Sequence, residues 1–154
     1  MTILAIDPGT TTGWALELPN GAVLVGTWDF KPRRGDGAGV RFLRFQAKLD
    51  EVQWLYPLDR VVYELPAGNY KSGAADDVIK GLVAHIQSWC ERNRVPCEGY
   101  APPTIKKHAT GKGNASKDVV LDAARQRWGD AIIDDNAADA RWLLDLALQG
   151  NCQR

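Results

Sequence analysis

Two hydrophobic rhythms alternate along the chain. Ile3-Leu4-Ala5-Ile6 is an unbroken apolar run, as in a strand buried on both faces, and it stops at Asp7-Pro8-Gly9. Thr12 to Leu18 reads as a second strand closed by Pro19-Asn20-Gly21. Ala22 to Phe30, with Val23, Val25, Thr27 and Trp28, reads as a third, and the short turn between them predicts an antiparallel hairpin. From Val40 to Leu55 the period becomes helical, with Phe42, Phe45, Leu49 and Val52 on one stripe. Arg60 to Tyr63 is a compact apolar strand ending at Glu64, with Pro66 closing it. Ala74 to Arg92 returns to helical spacing through Val78, Leu82, Ile86 and Trp89, and Pro96 to Tyr100 follows as a fifth strand. Pro102-Pro103 suits the first turn of a short helix through His108, which Gly111-Lys112-Gly113-Asn114 breaks. Ser116 is a good N-cap for a helix to Trp128, and Asp134 or Asp135 caps a last helix through about Leu148.

This order predicts an α/β domain, a mixed five-stranded sheet with helices on both sides. The 154 residues suit one domain spanning 1–154, without repeat or linker. Pro32 to Gly39, rich in Gly and Arg, is expected to be a mobile loop. No apolar run approaches the roughly 18 residues of a membrane span, and Met1 to Asp7 lacks the basic start of a signal peptide. Cys90, Cys97 and Cys152 form no CxxC pair, which argues against a disulfide framework or a zinc site. The expected location is the cytoplasm, with reduced thiols and no membrane partner.

The 19 basic and 19 acidic residues cancel, so the sum does not favour a polyanionic partner. Their distribution does. Lys106, Lys107, Lys112, Lys117, Arg125 and Arg127 crowd one segment, and Lys31, Arg33, Arg34, Arg41 and Arg44 another. Asp130, Asp134, Asp135, Asp139 and Asp145 face only Arg141 between positions 130 and 145. Basic segments beside a carboxylate cluster suit a nuclease, one set holding phosphates and the other metal; scattered solvated charge is the plainer alternative.

Asp7 and Glu64 each end an apolar strand, the position at which open α/β sheets build sites. Acids so placed are hard to bury ionised without a partner or a metal. The plainer alternative is a pair of exposed turn carboxylates. Asp134-Asp135-Asn136-Ala137-Ala138-Asp139-Ala140 adds a third element. Asp135 and Asp139 share a helix face and repel each other, a cost that a divalent cation removes. The alanines allow close approach to a sheet. A favourable helix dipole explains Asp134 and Asp135 but not the deeper Asp139. Carboxylates from separate segments are the usual holders of Mg²⁺, with waters and phosphate oxygens completing the shell. Two such ions can serve phosphodiester hydrolysis.

Four stretches together are specific: Leu4-Ala5-Ile6-Asp7-Pro8-Gly9-Thr10-Thr11-Thr12-Gly13; Val61-Val62-Tyr63-Glu64; Pro103-Thr104-Ile105-Lys106-Lys107 with Gly111-Lys112-Gly113-Asn114-Ala115-Ser116-Lys117; and Asn136-Ala137-Ala138-Asp139-Ala140. In this order and over nearly the whole chain, they resemble the RuvC-type Holliday junction resolvases of the ribonuclease H-like superfamily. The resemblance implies a homodimeric endonuclease that uses Mg²⁺ or Mn²⁺, two ions per active site, to nick opposing strands of four-way junctions or other branched DNA. Asp7 and Glu64 match the family's first two metal-binding acids, Asp139 the last, and Lys106 and Lys117 the basic residues near the scissile phosphate. Lys107 and Lys112 are expected to join them on DNA, and Arg33 and Arg34 to extend the groove. The bacterial pattern has Asp three residues before the final Asp, where this chain has Asn136. Asp135 is the expected substitute, although the Asn136 carbonyl could also ligate. The slightly short chain is more like viral and phage-borne relatives, which implies looser selectivity among branched DNAs.

Other readings remain open. Asp7-Pro8-Gly9-Thr10-Thr11 also resembles the first phosphate loop of actin-like ATPases and sugar kinases, which need two such domains. The YqgF-type group, linked to ribosomal RNA processing, shares the early motif, but Ile105-Lys106 to Lys117 argues for the junction-cutting branch. A catalytically inactive branched-DNA-binding module would show loss of acids, and Asn136 is the only hint of that. His108 is expected to face phosphate or to cap a helix rather than act as general base. The six Trp residues fall mostly at core positions. Tyr70, with Lys71 in a loop flanked by Gly68 and Gly73, is a candidate for stacking on an unpaired base.

Overall fold

The computed structural model describes residues 1–68 and 73–151. The expectations for Tyr70, Lys71 and Cys152 lie outside the described residues. Strands β1 (Ile3–Asp7), β2 (Thr11–Glu17), β3 (Val23–Asp29), β4 (Arg60–Glu64) and β5 (Cys97–Tyr100) form one sheet in the order β3-β2-β1-β4-β5. The first three pair antiparallel as a meander, and β4 and β5 add parallel to β1. Parallel pairing requires crossovers, which α1 (Val40–Leu55) and α2 (Ala74–Asn93) supply. Helices α3 (Pro102–Thr110), α4 (Lys117–Trp128) and α5 (Asp135–Asn151) follow, with a 3-10 turn at Gly129–Ala131.

The period of two along β1 divides the interior. Leu4 and Ile6 join Leu16, Val61 and Tyr63 under α1 and α2. Ile3 and Ala5 join Ala15 and Val62 under α3, α4 and α5. The central strand is thus apolar on both faces, which explains its unbroken run. The apolar stripe of α2 is core: Leu82, Ile86 and Trp89 are fully buried. Trp89 Nε1 also donates to Asp50 Oδ1 on α1 at 2.7 Å. Five tryptophans pack in or against the two cores, whereas Trp54 is 83% exposed.

Local chemistry sets the helix ends. Ser116 Oγ accepts from Val119 N at 3.4 Å, as an N-cap should. At α5 the cap is Asp134, whose Oδ1 accepts from Ala137 N at 2.8 Å, leaving Asp135 as the first helical residue. The segment Pro32–Gly39 carries ties of its own. Asp36 accepts from Arg33 N at 2.7 Å and from both terminal nitrogens of Arg44 at 2.5 and 3.0 Å.

One contact decides where α5 lies. Gly13 on β2 sits opposite Asp7 on β1, and the α5 backbone rests directly upon it. A Cβ built on Gly13 would stand 1.9 Å from the carbonyl oxygen of Asn136. Ala137, Ala138 and Ala140 are fully buried beside this contact, small enough to let the helix close onto the sheet.

Gly13→Ala is therefore expected to lower unfolding stability by about 2 kcal/mol or more, because rigid backbone must move. Gly37→Ala, with nothing within 4 Å of its Cβ position, should stay within roughly 0.5 kcal/mol of the parent. Urea denaturation of both variants tests the contrast. Equal stabilities would show that α5 is not held where this packing puts it.

Candidate active site

Because β1 and β4 are parallel neighbours, their carboxyl ends lie side by side, and each ends in an acid, Asp7 and Glu64. The approach of α5 over Gly13 brings Asp139, in its second turn, to the same place. The three acids line a cleft of about 460 Å³ together with Thr10, Asn136, Lys106 and Lys117. Pro102 and Ile105 of α3 and Ala75 and Ile79 of α2 supply apolar wall.

The electrostatics follow from burial and crowding. Asp7 lies below the surface with only part of its side chain open to the cleft. Desolvation, then Glu64 and Asp139, push its carboxyl well above the usual range, and Lys117 partly offsets them. Glu64 rises to about 7, first through burial and then through Asp139, against the pull of Lys106 and Lys117. Asp139 rises to about 6, chiefly through burial, with Lys117 opposing and Asp135 adding to the shift. All three acids are strained when ionised, and the two lysines relieve that strain only in part.

The predicted residues divide. Asp7, Glu64, Asp139, Lys106 and Lys117 come together in the cleft lining. Asp135 stands just outside it with its carboxylate 3.6 Å from Lys117 Nζ, and Asn136 lines the cleft instead. Lys107 and Lys112 are exposed and do not line the cleft. His108 lies in the last turn of α3 and is paired with a carboxylate of another helix. Its Nε2 lies 2.8 Å from Asp145 Oδ2 on α5, pointing away from the side chain of Lys106. Asp145, 8% exposed, also takes a bidentate pair from Arg127 at 3.0 and 3.1 Å. The Arg141 guanidinium stacks on Trp128 at 4.1 Å beside it. This network ties α3, α4 and α5 together behind the cleft. Sequence reading missed it: the Arg141–Asp145 spacing of four was visible, but a His from another helix was not. The walls from Ala75 and Ile79 were missed too, and the small Ala74-Ala75 pair at the start of α2 is the signal that could have found them.

Among the described residues, no group of three or more His, Cys, Asp or Glu side chains forms a ready-made metal cage. The crowding of the three carboxylates is relieved by protonation, by Lys106 and Lys117, or by a cation. The donor set nevertheless fits a hard divalent ion, which takes one or two carboxylates and fills its shell with waters and substrate oxygens.

No protein-family model matches the chain. Among curated proteins it is 32% identical to the crossover junction endodeoxyribonuclease RuvC of Oleidesulfovibrio alaskensis over 125 residues, covering 78% of this chain and 73% of that one. It is 31% identical to the RuvC of Dehalococcoides mccartyi over 128 residues, covering 81% and 76%. Among solved structures, Thermus thermophilus RuvC in complex with a Holliday junction substrate superposes with a TM-score of 0.77 at 23% identity, over 97% of this chain and 96% of that one. The yeast mitochondrial Holliday junction resolvase Ydc2 gives 0.53 at 13% identity, over 92% and 75%. These superpositions define the class, a ribonuclease H-like fold with its mixed five-stranded sheet. The sequence relatives carry the assignment further, and the chain belongs to the RuvC family of crossover junction endodeoxyribonucleases.

The raised carboxyl values set a pH dependence. Protonated acids suit the fold, so their contribution is complete below the ordinary values of 3.8 and 4.5. It is lost as pH rises through about 6 for Asp139 and about 7 for Glu64. Without divalent ions, the protein is expected to melt at a lower temperature near pH 8 than near pH 5.5. Asp7→Asn should raise the melting temperature at the alkaline end and flatten the profile. Thermal melts in chelator check both, and a substitution that lowers the alkaline value would contradict the crowding.

Proposed function

We propose that this protein is a divalent-metal-dependent endonuclease that nicks four-way junctions and related branched DNA. The observation that carries the reading is the convergence of Asp7, Glu64 and Asp139 with Lys106 and Lys117 in one cleft, within a chain of the RuvC family. Asp7, Glu64 and Asp139 hold Mg²⁺, or Mn²⁺ in its place, at two ions per site. Asp135 is the fourth acid of the set, since its charge reaches Asp7 and Asp139. When bound, the metal supplies charge neutralisation for the phosphate and a lowered pKa for the attacking water.

The remaining chemistry belongs to the chain. Lys106 and Lys117 donate to the phosphate oxygens and partly offset the rise in the carboxyl values of the crowded acids. Asp135 restrains Lys117, which is otherwise 75% exposed and free to swing. Asn136 presents a neutral amide to the cleft, able to offer its carbonyl oxygen to a metal or its NH₂ to a phosphate. Ala75, Ile79 and Ile105 close the sides with apolar surface, which strengthens every charge interaction inside. A four-way junction has two-fold symmetry, so a symmetric homodimer presents one such cleft to each of two opposing strands.

With Mg²⁺, a synthetic four-way junction is expected to be nicked at paired sites while its matched linear duplex stays intact. Replacement of a group that merely orients a metal ligand costs ten- to a hundredfold, so Asp7→Asn should lower nicking by more than about a hundredfold. Gel analysis of end-labelled strands reads both effects. Tight junction binding without cleavage in either metal would identify an inactive binding module, and Asn136 would then be the trace of a lost acid.

A further inference from the structure

The cleft has a second basic border that the chemistry above does not use. Strand β3 ends at the cleft rim, where Phe30 N donates to Thr10 O at 2.8 Å, and Thr10 itself lines the cleft. The chain leaving that point carries Lys31, Arg33 and Arg34, and then Arg41 in the first turn of α1. Its one acid, Asp36, is neutralised by the bidentate Arg44, which holds the Asp36 carboxyl below its ordinary value. Lys31, Arg33 and Arg34 point into solvent, and Arg41 is half-buried. Among the described residues none of these four has an ion-pair partner within 4.0 Å. Arg41 shares a shallow hollow with Pro32, Phe42 and Val78, and the residue after Val78, Ile79, lines the cleft. The cations therefore rim the cleft at Thr10 and the start of α2, whereas Lys106 and Lys117 enter it from α3 and α4. Asp29 and Glu51 border the hollow that Arg33 shares, and Asp36, already paired with Arg44, borders the one that Arg41 shares.

Several features suit phosphate rather than plain solvation. Three of the four cations are arginines, whose fork matches phosphate oxygens in a bidentate way. Gly35, Gly37 and Gly39 have nothing within 4 Å of their Cβ positions, leaving backbone open to close approach. The Asp36 ties hold the segment in place beforehand, which reduces the ordering cost of binding.

We infer that residues 31–41 form a second phosphate-gripping surface, which holds a duplex arm of branched DNA leading away from the scissile site. This rests on the nuclease reading and adds a separate surface to it. The surface grips the backbone without reading bases, so it contributes affinity and salt dependence but not chemistry.

The test uses the full chain in chelator, with fluorescence anisotropy of a labelled four-way junction across a series of salt concentrations. For the Arg33→Ala/Arg34→Ala/Arg41→Ala variant, the slope of log affinity against log salt should become shallower by about two to three, since each phosphate contact contributes roughly 0.9. In a separate assay with Mg²⁺, nicking at saturating DNA should be unchanged, whereas Lys106→Ala should lower it. The triple Lys variant should regain most of the slope, and Arg34→Ala alone, at an exposed position, should lose about one. An unchanged slope and affinity in the triple Ala variant, with wild type still binding and nicking, would overturn this inference alone. Failure of wild type to bind any DNA would overturn both it and the nuclease reading. Loss of slope with normal melting temperature supports it, and so does selective loss for long-armed over short-armed junctions.

Discussion

The cleft depends on a close contact between backbones. Helix α5 lies against β2 because residue 13 has no side chain, and the carbonyl of Asn136 occupies the space a methyl group would fill. Fully buried alanines at 137, 138 and 140 continue the fit. With a larger residue at either surface, α5 would stand off the sheet and carry Asp139 away from Asp7. The cost of this approach is electrostatic. It presses a third carboxylate against two that the parallel pairing of β1 and β4 already sets side by side, and burial leaves little water to relieve them. Lys106 and Lys117 supply part of the compensation, and a divalent cation suits the rest.

Much of this was legible in the residues. Strands were readable because their apolar runs are short and end on turn residues, and Asp7 and Glu64 were readable as candidates because they stop two such runs. Boundaries drifted by a residue or two, as at β2, which begins at Thr11 rather than Thr12. The 3-10 turn at Gly129–Ala131 has no pattern of its own to betray it. Helix α5 shows where periodicity fails. A spacing of four put Asp135 with Asp139, yet the residue in the cleft lining is Asn136, three away. Both spacings share a face in an isolated helix, and only the docking of α5 on Gly13 decides which one the cleft sees. Lys107 and Lys112 were grouped with Lys106 and Lys117 by proximity in sequence, but a short helix and a turn disperse them outward. The pairing of His108 was not foreseen for a related reason, since its partner, Asp145, is 37 residues away on another helix.

Helix α3 consequently has two functions divided by side. One side presents Lys106 to the cleft. The other is anchored through His108 to Asp145, which Arg127 also engages from α4. Removing one member of such a half-buried charge network leaves the others unpaired, so the arrangement resists piecemeal change. The lysine that meets the acids is therefore mounted on a helix fixed from behind.

The arrangement of charge has a bearing on how the molecule meets its target. With 19 cations and 19 anions, the chain has no net monopole, and at physiological salt a charge is felt over only about 8 Å. Long-range capture is weak for such a particle. The basic borders on either side of an acidic centre act only within a near collision, where they favour one orientation of a polyanion. Encounters are then brief, and non-matching helix is released quickly. Residence time, and with it discrimination, is left to whatever shape can engage both borders at once.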